Sequence, residues 1–140
     1  MDREILFRGK RLNNGEWVCG SLIQMDSEGS QSFIFPFYKY ASSLTCDQIV
    51  SMFMVAVDPA TVGQFTGLCD DKERKVFEGD IVDVRGRFKS EVRYVCRNTG
   101  FLIKDNYGNC EWLYDVLASM HCEVIGNMHD TPDWAKEESE

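Results

Sequence analysis

Between residues 80 and 126 the chain repeats one device: a short run with apolar side chains at alternate positions, then a cluster of Gly, Asn or Asp. Asp80-Ile81-Val82-Asp83-Val84-Arg85 puts Val82 and Val84 on one side, and Glu91-Val92-Arg93-Tyr94-Val95-Cys96 puts Val92, Tyr94 and Cys96 on one side. A period of two is that of a pleated strand with one buried face, so these runs predict half-buried strands and not helices. Gly86 marks a turn between them. Further along, Phe101-Leu102-Ile103-Lys104, Cys110-Glu111-Trp112-Leu113-Tyr114 and Cys122-Glu123-Val124-Ile125-Gly126 read as strands, with a turn at 105–109 and a helical turn within 115–120. Strands of this length and spacing predict a small SH3-like barrel over residues 58–129.

The first half is built differently. Ile5-Leu6-Phe7-Arg8 and Trp17-Val18-Cys19-Gly20-Ser21-Leu22-Ile23 flank Asn13-Asn14-Gly15, and Asn-Gly supplies the positive φ angles of a hairpin turn. A second turn cluster at 26–30 precedes the aromatic run Phe33-Ile34-Phe35-Pro36-Phe37-Tyr38; Pro36 lacks an amide hydrogen and predicts an edge or a bulge. Residues 40–51 read as a loop or short helical turn, and Met52–Val57 as a buried strand. At Asp58-Pro59 a capping carboxylate precedes a proline suited to a first helical position, which predicts a single turn closed by Gly63. The whole is therefore expected to be mainly β: an N-terminal β-hairpin and sheet region at 1–57, a barrel-like region at 58–129, and a mobile acidic tail at 130–140.

Composition excludes several classes. No stretch approaches the roughly 20 apolar residues that span a bilayer, and the start Met1-Asp2-Arg3-Glu4 is charged where an export signal turns apolar, so no membrane association and a cytoplasmic location are expected. Six cysteines are scattered without a CxxC pair and read as reduced thiols. Of the formal net charge of −8, half falls on residues 130–140. An acidic balance argues against broad affinity for phosphate backbones, while leaving room for a local basic patch.

Three stretches carry a family resemblance: Arg3-Glu4-Ile5-Leu6-Phe7-Arg8-Gly9-Lys10 through Asn14-Gly15-Glu16-Trp17-Val18; Val57-Asp58-Pro59-Ala60-Thr61-Val62-Gly63-Gln64-Phe65-Thr66-Gly67-Leu68 with Phe77-Glu78-Gly79-Asp80-Ile81-Val82; and Glu123-Val124-Ile125-Gly126-Asn127. Together, and in this order, they resemble the YopX family of phage and prophage proteins. The resemblance implies a bacterial cytoplasmic setting and a homo-oligomer such as a trimer, and it brings no activity or catalytic residues. Where relatives have an Asn-Gly-like turn, this sequence reads Asp70-Asp71-Lys72-Glu73-Arg74-Lys75, which predicts a longer or looser turn.

Candidate chemistry is sparse. Glu78-Gly79-Asp80, with Asp83, offers carboxylates for acid–base work or a hard cation, but a glycine between carboxylates is first of all a turn. Cys110, His121 and Cys122, with His129 beyond, lack the close pairing of structural zinc ligands. Gly63-Gln64-Phe65-Thr66-Gly67 lacks the Gly-Lys-Ser/Thr ending of a phosphate loop. No catalytic residue, metal or cofactor is therefore assigned. The basic cluster Arg85, Arg87, Lys89 and Arg93, interleaved with Phe88 and Tyr94, is the strongest candidate binding surface: on a hairpin, cations meet phosphates while a ring stacks on an unpaired base. Asp83 and Glu91 dilute it, and a solvated hairpin is the simpler reading. The Phe33–Tyr38 run reads as core or, since Pro36 marks an edge, as a subunit interface, and the tail with Trp134 as a frayed end first and a docking segment for a basic partner second. The expected function is that of a non-enzymatic oligomeric module binding a host or phage macromolecule; single-stranded nucleic-acid binding through 85–93 is the alternative.

Overall fold

The computed structural model describes residues 3–26, 30–36 and 54–132, and between the last two stretches only positions 43, 45, 47 and 48. The expectations for 40–51, for Phe37 and Tyr38, and for Trp134 in the tail fall wholly or mainly outside the described residues. The fold is mainly β. The chain divides into two compact units, Met1–Gln64 and Phe65–Glu140.

In the first unit, β1 (Phe7–Lys10) and β2 (Trp17–Gln24) form the expected antiparallel hairpin, with Gly15 at φ 72°. β3 (Ser32–Pro36) pairs with β2, and β4 (Val55–Val57) with β3. The sheet curls far enough that Arg11, just past β1, meets Val57 of β4 in an isolated bridge. The alternation follows from the register: Val18, Ile34 and Val57 turn inward as a buried cluster, while Trp17, Ile23, Phe33 and Phe35 share the outer face. Gly9 and Gly20 on the inner face make the curl feasible, since a Cβ on Gly9 would lie 3.1 Å from Val57 and one on Gly20 would collide with the Phe35 carbonyl. The edge expected from Pro36 needs refining: β3 lies between two strands, but β4 reaches only Ser32–Ile34, and Pro36 sits beyond it opposite Gly20.

Asp58 caps a 3-10 turn, Pro59–Thr61, accepting the Ala60 amide at 3.0 Å. β5 (Gly63–Cys69) follows; its first two residues pair with β1, and from Phe65 onward it pairs with β6 (Lys75–Phe77) in the second unit.

The second unit holds two three-stranded antiparallel sheets, β12-β7-β8 and β11-β10-β9. Their strands are β7 (Asp80–Val84), β8 (Phe88–Glu91), β9 (Arg93–Val95), β10 (Gly100–Lys104), β11 (Cys110–Trp112) and β12 (Cys122–Asn127), with a helix α1 (Leu113–Ser119) after β11. No closed barrel is found among the described residues; the ladders stop at these open sheets. The reason is local. The run read as one strand, 91–96, is broken at Val92, where the chain leaves one sheet and enters the other. Val92 is fully buried, exchanging backbone hydrogen bonds with Gly79 and Asp80, while Tyr94 and Cys96 are exposed. β7 likewise carries buried side chains on both faces, Ile81 on one and Val82 and Val84 on the other. The core gathers Val76, Val82, Val84, Val92, Ile103, Leu113, Val116 and Cys122. Among the described residues no helix is long and apolar enough to cross a membrane.

Candidate functional site

The Glu78-Gly79-Asp80 segment is a structural turn. Gly79 stands at φ 90°, where an L side chain is strained, and the buried Asp80 carboxylate accepts the Phe77 amide at 2.7 Å. The Gly79 carbonyl accepts the Met128 amide, so this turn ties β6, the Val92 corner and the end of β12 together. The 70–75 turn is likewise closed and firm, not loose: the Asp70 amide donates to the Arg74 carbonyl at 2.9 Å, and the Asp70 side chain accepts from Lys72, Arg74 and Val124.

The basic cluster is divided by the fold. Arg85 and Gly86, at φ 54° and 71°, are the two central residues of a tight hairpin turn between β7 and β8, closed by the Arg87 amide on the Val84 carbonyl. Arg85 lines a depression of about 230 Å³ with Asp71, Asp83 and His121, whose Nδ1 lies 3.0 Å from the Asp71 carboxylate. Arg87 faces a second groove, about 400 Å³, with Asp105, Glu111 and Asp115. Phe88 lies opposite Val84 and packs on the core. Lys89 stands opposite Asp83 across the hairpin. Tyr94 is 43% exposed and meets Phe101 edge-on at 5.3 Å between ring centres.

Lys89 and Arg93 do come together, in a third groove of about 390 Å³ lined mainly by residues of β8, β9 and β10. There they join Lys104, which the sequence did not single out, beside Glu91, Leu102 and Cys110. Arg93 Nε donates to Glu91 at 2.7 Å. Pairing register extends the surface: Leu102 lies opposite Arg93 on one side and Trp112 on the other, and Lys104 opposite Cys110. Directly paired residues share a face, so Arg93, Leu102, Lys104, Cys110 and Trp112 stand on the outer face of this sheet, all exposed but Leu102, which is buried at its centre, while on the opposite face Ile103 is buried in the core and Phe101 packs on it. The Trp112 indole leans onto Gly100, where a Cβ would fall 2.5 Å from a ring carbon, and it remains 44% exposed. A bare glycine thus seats a flat aromatic ring on the same face as Arg93 and Lys104.

The cysteines and histidines considered for zinc are spread out: Cys110 lies at the third groove, while His121 and Cys122 border the first. The Cys122 thiol is pushed up to about 12 by burial, reinforced by the negative field of Asp71, Asp70, Asp83 and Glu123, so it is no nucleophile at neutral pH. Among the described residues no three His, Cys, Asp or Glu side chains converge as a metal site.

The sequence pattern of the family described as YopX protein matches residues 6–134. The chain belongs to the YopX family. The match takes in both compact units, so the curled sheet, the Glu78-Gly79-Asp80 turn and the Trp112 face all lie inside the YopX region. No curated protein matches the chain.

Proposed function

We propose that this YopX chain is a non-enzymatic binding module of a phage or prophage, working in the bacterial cytoplasm as a homo-oligomer and engaging a host or phage macromolecule through the outer face of the β9-β10-β11 sheet. The observation that carries the reading is Trp112, half exposed and seated on Gly100 in one row with Leu102 and Arg93. An aromatic ring and an arginine on one exposed sheet face, two strands apart, are residue types that binding hot spots favour. The groups that chemistry would need are engaged in holding the fold: Asp80 by its turn, Asp70 by its four donors, Cys122 by burial. Self-association is assigned to the outer face of the first sheet, where Ile23, Phe33 and Phe35 are only half-buried.

Affinity capture from bacterial lysate, run with and without nuclease, tests the reading, with the full chain and an Arg93→Glu/Lys104→Glu variant compared. A defined macromolecule held by the first and lost by the second is the expected result. Equal capture by both, or turnover of a substrate in a broad hydrolase and transferase screen, overturns it. Light scattering reports the oligomer: the native chain is expected to exceed its 16.1 kDa monomer mass and Phe33→Glu to return to it.

A further inference from the structure

Resting on that reading, we infer that the macromolecule engaged by this face is a single-stranded nucleic acid, with one base stacked on the Trp112 indole and the adjoining phosphates held by Arg93, Lys104 and Lys89. Geometry supplies the first argument. In a pleated sheet neighbouring strands lie about 4.8 Å apart and residues two apart on one face about 6.8 Å apart. Trp112 and Arg93 flank Leu102 on either side, which puts them roughly 10 Å apart across the sheet, and Lys104 stands one face-step from Leu102. That is a platform for one or two nucleotides. Gly100 gives the ring a bare backbone to lie on, leaving the other side of the indole for a base.

Charge supplies the second. Lys89, Arg93 and Lys104 converge on the groove against Glu91 and Asp105, a local positive excess on a chain whose net charge is −8. The net negative charge of the rest of the chain weighs against a polyanion elsewhere and points to a short footprint on this face. A duplex keeps its bases stacked and offers no face to the indole, whereas every unpaired base does. An acidic peptide would satisfy the cations but leave the indole without a planar partner.

The test uses the full chain and fluorescence anisotropy of labelled oligonucleotides of roughly 12 nucleotides, inside the footprint range of single-strand binders. Poly-dT and poly-rU strands, a duplex of equal length and a poly-glutamate peptide are compared at about 50 and 200 mM salt, a range over which phosphate contacts weaken measurably. Single strands are expected to bind and the duplex and peptide not. Trp112→Ala is expected to weaken binding about tenfold, a stacked base's worth, and Trp112→Phe to restore part of it. Lys104→Glu, at an exposed position that the core does not need, is expected to lower the salt slope by about 0.7, the loss of one phosphate contact. Absence of single-strand binding, equal binding of the peptide, or affinity unmoved by both Trp112→Ala and Lys104→Glu overturns the inference. If strands fail while nuclease-resistant capture still depends on Arg93 and Lys104, the nucleic-acid assignment falls and the binding face stands.

Discussion

The Asp70 carboxylate is shielded from solvent yet accepts four hydrogen bonds: from the Lys72 and Arg74 amides at 3.0 and 2.9 Å, from Arg74 Nε at 3.1 Å, and from the Val124 amide at 2.9 Å. Burial alone would raise its pKa, but the amides of Val124, Arg74 and Lys72, with the Arg74 charge, outweigh burial and hold it below 3.8. A lowered folded pKa means that its stabilisation is fully present above the unfolded value and drains away as pH falls through the folded one. Asp70→Asn keeps the size but turns an amino group toward backbone donors, and urea melts at pH 7 are expected to show a loss of about 2 kcal/mol. The same variant should flatten the stability curve below pH 4. Cys122 provides a second check: peptide mapping after brief alkylation at pH 8 is expected to label the exposed Cys19, Cys69, Cys96 and Cys110 and to spare Cys122. At this scale the sequence was readable where a residue acts on its neighbours, as Asp58 does on Ala60. It was silent on Trp112 and Gly100, which lie on different strands and meet only after the sheet has folded.

At the scale of elements, the alternating pattern of 80–85 correctly announced β7, and Asn14-Gly15 the first hairpin. The same period misled at 91–96, since it continues unbroken across a corner where the chain changes sheets. β5 went unread because Gln64-Phe65-Thr66-Gly67 mixes polar, aromatic and glycine positions with no clean period. The corner depends on Val92, buried from all sides, so Val92→Ala is expected to cost about 2 kcal/mol by denaturant unfolding. The β7–β8 turn is separable from it. Gly86 has open space around it but φ 71°, so Gly86→Ala is expected to cost about 1 kcal/mol through backbone strain alone, with the hairpin register unchanged in amide chemical shifts.

For the whole molecule, the sequence conveyed the mainly β class but not the open arrangement of the second unit's sheets, because closure depends on ladders between distant strands and not on local period. Two buried clusters, one around Ile34 and Val57 and one around Val82 and Ile103, each lie within a single compact unit. Hydrogen exchange is accordingly expected to show Ile34→Ala raising exchange across β1 to β4 while β7, β10 and β12 keep most of their protection; uniform loss throughout would show that one cooperative unit spans both cores.

β7, the middle strand, takes one neighbour from β8 immediately after it and the other from β12, which starts only at Cys122. On the ribosome that second neighbour arrives only after the residues between β8 and Cys122 have been made. Until then β7 presents a bare, strongly apolar edge, Ile81-Val82-Asp83-Val84, which is the kind of edge that recruits other nascent chains. The order of synthesis thus makes the arrival of β12 the step that ends this exposure, and any slowing of translation between α1 and β12 lengthens the interval in which the protein is prone to aggregate.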